Sequence, residues 1–335
     1  MTTLVMTVLF LGFSPAWADK ASELSSLPHG IKESGLSGNR TELDPALARA
    51  RSQRSGNQGG SGLAAEISKA CAGLAKLDRD ATSGITFDGK NHLFVPFTGQ
   101  FPPSYQAAIN LAGCFDPKVG TPELKKHSKE INAYLASIEN DPVIKHALKT
   151  TNTSLEALKM NWFGPGAGFE HVICGEMKST SVSGYHWWYK FYSDELAGRA
   201  KIQGGIDHAG DAGIYTGRFT WDPDGNGPLP ILKKSKGGFT IGNSAQVILA
   251  LGHIAIETAR RNGGQAPSAI QFNANINGHV YAWQLYTFDN TIRSLYPICG
   301  SGDTASDNNG INAEYYGLEE DCLKGLYGDG TLTAH

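Results

Sequence analysis

The chain has 335 residues, of which 40% are hydrophobic, 10% aromatic and 18% charged, and its net charge is -3. This composition excludes a disordered chain, and the slightly acidic balance excludes a general duplex-DNA binder, which would be strongly basic. The 41 glycines follow no Gly-X-Y period, so they exclude collagen and predict many tight turns between strands. No apolar run approaches the ~20 residues of a membrane span, and the length predicts about two domains.

The first 62 residues predict a targeting segment followed by a linker. Leu4 to Phe13 form an apolar run, and Ala16-Trp17-Ala18 supplies the small residues of a cleavage site. We therefore expect a signal peptide over residues 1–18 and a secreted or periplasmic protein; the alternative is that the apolar run is a buried strand or helix. Residues 19–62 are polar and end in SQRSGNQGGSG, which predicts a flexible linker.

Residues 63–162 predict a lobe made mainly of helices. It opens with a periodic stretch over 63–82, and the segment GITFDGKNHLFVPFTG that follows predicts a hairpin. Asp141-Pro142 predicts the start of one helix, and Leu155 to Trp162 predicts another. Before them, apolar side chains recur at helical spacing, at Leu124, Ile131, Tyr134, Leu135 and Ile138.

Residues 163–298 predict a lobe rich in strands. Within it, residues 244–262 predict one helix, with Asn243 or Ser244 as its N-cap. Helices followed by antiparallel strands indicate an α+β fold. The tail 299–335 receives no assignment. The predicted strands are FEHVICGEM, GYHWWYKFYSDELAG, GIYTGRFTW, GGFTIG, AIQFNANING and HVYAWQLYTFD, separated by Gly-rich turns.

The five cysteines allow at most two disulfides. Cys71 and Cys114 lie in the same region, and Cys299 and Cys322 flank a polar C-terminal segment. Export to an oxidising compartment would favour both pairs, so we expect a disulfide within each. Cys174 lies in a segment that predicts an apolar strand, and we expect it to be a buried small hydrophobe.

Two of the ten histidines stand out because they lie in neighbouring predicted strands. A hairpin of GFEHVICGE and GYHWWYKFY would bring His171 and His186 together, and two imidazoles can act as base and acid near neutral pH. The run Lys233-Lys234-Ser235-Lys236 supplies cations that could face the charge of a phosphate. The alternative is that both histidines are structural.

The order of these segments resembles the EndoU endoribonucleases, also called XendoU-like or poly(U)-specific. The resemblance covers roughly residues 85–298 and implies a bacterial-type, secreted member of the family. It also implies the family's fold, with a helical N-terminal lobe and two antiparallel sheets flanked by helices. The segments that carry it are GFEHVICGE, GYHWWYKFY, RFTW, K-x-K-G-G-F-T-I-G-N-S leading into a helix, and Ser294-Leu295-Tyr296-Pro297.

The resemblance implies an activity and a set of catalytic residues. Members of the family cleave single-stranded RNA 3′ of uridylates, by attack of the 2′-OH, and leave 2′,3′-cyclic phosphate ends. The two catalytic histidines of the family fall on His171 and His186. The catalytic lysine falls on Lys234, and a small gap would move it to Lys233 or Lys236.

The resemblance also implies residues for the substrate and for a metal. Ser294 and Tyr296 match the pair that contacts the uracil, whereas Gly238 stands where many members carry a serine. Glu170 and Glu176 match acidic positions tied to Mn²⁺ dependence, although the chemical step needs no metal. The expected partner is U-containing single-stranded RNA and not a membrane. The alternatives are an EndoU-type RNase toxin with an immunity protein, or an inactive RNA-binding protein, and the oligomeric state stays open.

Overall fold

A computed structural model describes residues 60–88, 92–120, 123–204, 207–208, 213–276 and 279–301. The predicted signal peptide, nearly all of the predicted linker, and the tail from residue 302 onward lie outside these residues. Among the helices that it describes, none is both long enough and apolar enough to span a membrane.

The helical part occupies the first half of the described chain, as the sequence predicts. Asp141 begins one of its helices by accepting hydrogen bonds from the backbone N–H groups of Val143 and Ile144, at 2.8 and 3.4 Å. One helix was not predicted, and it begins at Pro103, a residue that favours the first turn of a helix. The helices are α1 Gly60–Ala70, α2 Leu74–Leu77, α3 Pro103–Ala112, α4 Glu123–Lys126, α5 Ser128–Ile138, α6 Pro142–Thr151 and α7 Leu155–Phe163.

Two sheets follow, which confirms the α+β class. The first has the strand order β1-β2-β6-β5-β3, with β4 beside β5, and the second has the order β7-β8-β9. Neighbouring strands in these orders are antiparallel apart from β2 and β6, which run parallel. The strands are β1 Glu176–Lys178, β2 Ser181–Ser183, β3 Ala200–Ile202, β4 Asp207–His208, β5 Ile214–Trp221, β6 Leu232–Thr240, β7 Ala269–Ile276, β8 His279–Phe288 and β9 Thr291–Ser301.

Two helices lie among the strands, α8 Trp188–Leu196 and α9 Ala245–Gly263. Ser244 caps α9, since its hydroxyl accepts a hydrogen bond from the N–H of Val247. Most of α9 is buried, and its Leu249 carbonyl accepts a 2.9 Å hydrogen bond from the indole of Trp162 on α7. This helix therefore joins the helical part to the strands in one hydrophobic core.

The predicted hairpin of the two histidine segments is wrong. Glu170–Cys174 form a π-helical turn, and the second segment forms the helix α8. Short buried apolar runs do not separate strands from helices by periodicity, because every side chain in them is inside. The lysine run was also misplaced, since it lies within β6 rather than before the strand. Of the hairpin predicted near residue 90, the described residues include an antiparallel bridge between Phe87 and Phe94, and residues 89–91 lie outside them.

The predicted disulfide between Cys71 and Cys114 is also wrong, because both are free thiols. Cys71 is fully buried in the core, whereas the Cys114 thiol hydrogen-bonds to the carbonyl of Asn110 one turn earlier on α3. Cys174 is free and buried, as expected, but in the π-helical turn. The pairing of Cys299 with Cys322 involves a residue outside the described chain.

Candidate active site

Backbone hydrogen bonds bring His171 and His186 together without a hairpin. The N–H of Tyr185 donates to the carbonyl of His171 at 2.8 Å, and the N–H of His186 donates to the carbonyl of Val172 at 2.7 Å. These two hydrogen bonds hold the loop that precedes α8 against the π-helical turn. The centroids of the two imidazoles are 6.0 Å apart, and their planes are inclined by 47°.

Gly184 makes this close approach possible. Its φ is +65°, and a Cβ built on it would lie 1.9 Å from the carbonyl oxygen of His171. A side chain here would push the loop away from the turn, and it would also strain the backbone. The distance between the two histidines therefore depends on a glycine that the sequence analysis did not single out.

His171 is held by a buried carboxylate. Its Nδ1 lies 2.6 Å from Oε2 of Glu176, a side chain with no exposed surface. Arg293 on β9 clamps the same carboxylate, with Nη1 3.0 Å from Oε1 and Nη2 2.6 Å from Oε2. Burial opposes the ionised form, but the hydrogen bond and charge of His171, followed by those of Arg293, lower the pKa of Glu176. Arg293 directly precedes Ser294, yet the sequence analysis missed it.

The ionised Glu176 can only accept, so Nδ1 of His171 carries a proton and Nε2 is the nitrogen left for a substrate. Burial lowers the pKa of His171, and the hydrogen bond that its Nδ1–H donates to Glu176 partly offsets this. Glu176 thus fixes both the orientation and the tautomer of the ring.

His186 is held in the same way by a backbone carbonyl. Its Nδ1 lies 3.1 Å from the carbonyl oxygen of Gly238 on β6, which can only accept. Burial and then the positive charges of Lys234 and His171 put the pKa of His186 well below its usual value. His186 is therefore neutral near neutral pH, with its Nε2 lone pair available as a base.

Of the lysines in the run, Lys234 lies in this site. Its Nζ donates a 2.7 Å hydrogen bond to the carbonyl of Gly184, and its charge acts on both histidines. Burial lowers the pKa of Lys234 to about 8, with the carboxylate of Glu176 opposing the shift. Lys233 is exposed and Lys236 is half-buried on the same strand.

The second sheet contributes a tyrosine to the site. The ring of Tyr296 stacks on that of His186, with centroids 5.0 Å apart and planes inclined by 29°. Ser294 is buried and lies two residues earlier on β9, so it shares a face of the strand with Tyr296. Tyr286 of β8 pairs directly with Ser294 across the sheet, and its ring lies 6.2 Å from that of Tyr296.

The two glutamates expected at a metal do not fit one together. Both oxygens of Glu176 are engaged by His171 and Arg293, whose positive charge would repel a cation. Glu170 is buried with both oxygens unpaired, and burial, then the charge of Glu176, raises its pKa to about 9. A protonated carboxyl is a poor ligand. Across the described residues, no group of three or more His, Cys, Asp or Glu is arranged to hold a metal ion.

Comparisons with known proteins agree with the resemblance read from the sequence. Residues 88–297 match the family described as endoribonuclease XendoU. The chain is 26% identical over 214 residues to a uridylate-specific endoribonuclease of Mus musculus, across 56% of this chain and 48% of the mouse protein. It is 24% identical over 230 residues to uridylate-specific endoribonuclease C of Xenopus laevis, across 58% of this chain and 70% of that protein. The chain thus spans about half the length of the mouse relative.

A solved structure supports the same fold. The structure of XendoU, described as a splicing-independent snoRNA-processing endoribonuclease, superposes with a TM-score of 0.53. The match covers 69% of this chain and 96% of that one, at 20% sequence identity. Since identity is low, this likeness bears on the fold alone.

Proposed function

This chain belongs to the endoribonuclease XendoU family, and we propose that it cleaves single-stranded RNA 3′ of uridylates and leaves 2′,3′-cyclic phosphate ends. One observation carries the proposal. Two buried imidazoles lie 6.0 Å apart, each held through Nδ1 by an acceptor, so that each can use Nε2 on the same substrate. This arrangement suits a reaction that removes one proton and delivers another.

His186 acts as the base. The 2′-OH of the uridylate attacks the adjacent phosphorus, and its proton passes to Nε2 of His186. The low pKa of His186 keeps that nitrogen unprotonated before attack. The Gly238 carbonyl accepts from Nδ1–H and stabilises the imidazolium that forms.

His171 acts as the acid. As the bond between phosphorus and the 5′-oxygen breaks, Nε2–H of His171 gives its proton to that oxygen. Glu176 favours the protonated ring through its hydrogen bond and charge, and a bound phosphate adds further negative charge beside it. Burial lowers the pKa of His171 in the free protein, so the protonated ring that the step requires depends on the added negative charge of the bound phosphate.

Lys234 stabilises the charge that grows on the non-bridging oxygens. The Lys234 side chain is half-buried, so its electrostatic effect is larger there than in water, and the carbonyl of Gly184 holds its ammonium in place. Ser294 and Tyr296 select the uracil, the serine by hydrogen bonding and the tyrosine by stacking. No step involves a metal, in line with the engagement of Glu176 by Arg293.

The proposal is tested with an oligonucleotide that contains one ribouridine among deoxynucleotides. We expect cleavage at that uridine, and none when it is replaced by 2′-deoxyuridine. His171→Ala and His186→Ala should each lose at least about 100-fold in rate while still binding the oligonucleotide. His146→Gln, at a half-buried histidine on α6, is the matched control and should keep its activity. A wild type that binds the oligonucleotide without cutting it would make the chain a binding protein instead.

A further inference from the structure

The first sheet carries a strong excess of positive charge in a chain whose net charge is negative. Its two-residue strand β4 contains Asp207. The other five strands, β1, β2, β6, β5 and β3, contain six basic residues and one acidic residue. The acidic residue is Glu176, which is buried in the site. The whole chain has a net charge of -3, so the excess of positive charge is a local property of this sheet and not of the chain as a whole.

The strand register aligns three of these lysines in one row. Lys178 pairs with Ser181, Ser181 with Lys233, Lys233 with Thr220, and Thr220 with Lys201. Directly paired residues point to the same face of a sheet. We call these five residues the lysine row, which crosses the five strands from β1 to β3.

This face of the sheet is open to solvent along the row. The three lysines and Ser181 are exposed and Thr220 is half-buried. The neighbouring residues that point the other way are buried in the core, and they are Val182, Leu232, Trp221 and Ala200. Each lysine is separated from the next by a hydroxyl residue, and adjacent strands lie about 4.8 Å apart. The three ammonium groups therefore span about 19 Å, with hydroxyl donors between them.

The row begins beside the candidate active site. Lys178 lies two residues beyond Glu176 on β1, which is about 7 Å along the strand. Lys233 directly precedes Lys234 on β6, so their side chains point to opposite faces of the sheet. Lys178 lies on β1, the edge strand of this sheet, so RNA whose scissile linkage lies between His171 and His186 would reach the row by passing over that edge.

We propose that the lysine row is a second RNA-contact surface, which binds the phosphates of single-stranded RNA flanking the cleaved linkage. The inference rests on the proposed function for its substrate. Regularly spaced cations alternating with hydroxyl donors suit a sugar-phosphate backbone, which repeats its charge along its length, and they require no particular base. The row accordingly supplies affinity for long substrates, whereas the site itself supplies the chemistry.

The test compares two triple variants with the same change of charge. The first replaces Lys178, Lys201 and Lys233 by glutamine. The control replaces Lys129, Lys145 and Lys149, three exposed lysines of α5 and α6, by glutamine. The row variant should raise KM for a long oligouridylate by at least about tenfold with kcat little changed. Both variants should cleave the dinucleotide UpA like the wild type, because UpA is too short to reach the row.

Salt dependence gives a second readout. Each phosphate contact to single-stranded nucleic acid contributes about 0.7 to the slope of log K against log salt. Loss of up to three contacts should lower the slope by up to about 2 in the row variant and leave it unchanged in the control. Equal KM values and equal slopes for the two variants would overturn the proposal, as would equal loss of affinity in both.

Binding of an uncleavable oligomer separates this inference from the proposed function. A fluorescent 2′-O-methyl oligouridylate has no 2′-OH to attack, so its anisotropy reports binding without turnover. If the wild type cleaves no RNA yet binds this oligomer through the row, the proposed function fails and the surface stands. If the row variant loses binding to polyglutamate but not to the oligomer, the surface serves an acidic protein and the inference is wrong.

Discussion

Arg293 and Glu176 form a two-point ion pair between the two sheets. The guanidinium on β9 reaches both oxygens of the carboxylate on β1, at 3.0 and 2.6 Å, and the same carboxylate holds Nδ1 of His171. Arg293 also donates a 3.2 Å hydrogen bond to the carbonyl of Gly166. The position of the histidine is thereby tied to the second sheet, which also carries Ser294 and Tyr296.

The first prediction concerns this pair. Arg293→Gln leaves a buried carboxylate without its cation, and breaking such a pair costs about 3 kcal/mol of stability. We expect kcat to fall at least tenfold, roughly, because His171 loses its fixed orientation. Arg293→Lys keeps the charge but not the two-point contact, so its kcat should lie between those of the wild type and Arg293→Gln. Steady-state kinetics and urea unfolding measure both effects.

Arg260→Gln is the matched control for this change. Arg260 is as exposed as Arg293 and also pairs with a glutamate, Glu257, but it lies on α9. It should lose stability without losing kcat per folded molecule. Wild-type kcat in Arg293→Gln would show that the ion pair does not position His171.

A second prediction concerns the glycine between the histidines. In Gly184→Ala the new Cβ would meet the His171 carbonyl in a backbone region that alanine rarely adopts. Gly198→Ala has a similar φ, +73°, with no atom within 4 Å of its Cβ, so it isolates the backbone strain. Unfolding measurements should give a loss of roughly 1 kcal/mol for Gly198→Ala and roughly 3 kcal/mol or more for Gly184→Ala. Similar losses in the two would mean that the contact with His171 is not tight.

The histidine pair illustrates what the sequence could and could not predict. The family and the α+β class could be predicted from the order of the sequence segments along the chain. That comparison uses residue types and does not depend on whether each segment forms a strand or a helix. The local structure of the chain between His171 and His186 could not be predicted. A run of buried residues has no periodicity that distinguishes a strand from a π-helical turn. The contact of Arg293 with Glu176 joins residues far apart in the chain, and only the packing of the two sheets reveals it.

The predicted disulfide between Cys71 and Cys114 was wrong for a different reason. Cys71 and Cys114 lie in the same region of the sequence, which suggested that they pair. Their environments in the fold differ, and the sequence does not reveal this. Cys71 directly follows α1 and is buried in the core, whereas Cys114 lies two residues beyond the end of α3 and donates its thiol hydrogen to the carbonyl of Asn110. The lysine run was not predicted to lie within β6 because its consecutive polar residues do not show the alternation of apolar and polar side chains that is typical of a strand.

A third prediction concerns the dependence of the rate on pH. The reaction needs a neutral His186, whose pKa is well below its usual value, so the acid limb should extend below pH 6.5. Burial also lowers the pKa of His171, the proposed acid, so log kcat/KM should begin to fall below pH 6.5, with a slope of about -1 as pH rises. Above pH 8 Lys234 also loses its proton, and the slope should steepen to about -2.

Lys234→Arg checks that assignment, because arginine keeps its charge throughout this range. The variant should retain the limb due to His171 and lack the steeper part above pH 8. A profile as steep as that of the wild type would place the second ionisation on another group.

The fourth prediction concerns base preference. Ser294→Ala should reduce the preference for uridine over the other bases by roughly tenfold, the worth of one hydrogen bond, with a smaller effect on rate. Tyr296→Ala should instead slow cleavage at every base, since stacking does not choose among them. Competition between oligonucleotides that differ at the cleaved base measures both ratios. An unchanged preference in Ser294→Ala would assign the choice to another residue.

The ends of the products test the central claim most directly. Attack by the 2′-OH, with His186 as base and His171 as acid, must leave a 2′,3′-cyclic phosphate on one fragment and a 5′-hydroxyl on the other. Mass spectrometry of the fragments from an oligonucleotide with a single ribouridine distinguishes these ends without ambiguity. The account predicts the cyclic phosphate and the 5′-hydroxyl, in EDTA as well as in Mn²⁺. Fragments that end in a 5′-phosphate and a 3′-hydroxyl would show that water is the nucleophile and would contradict the two-histidine mechanism.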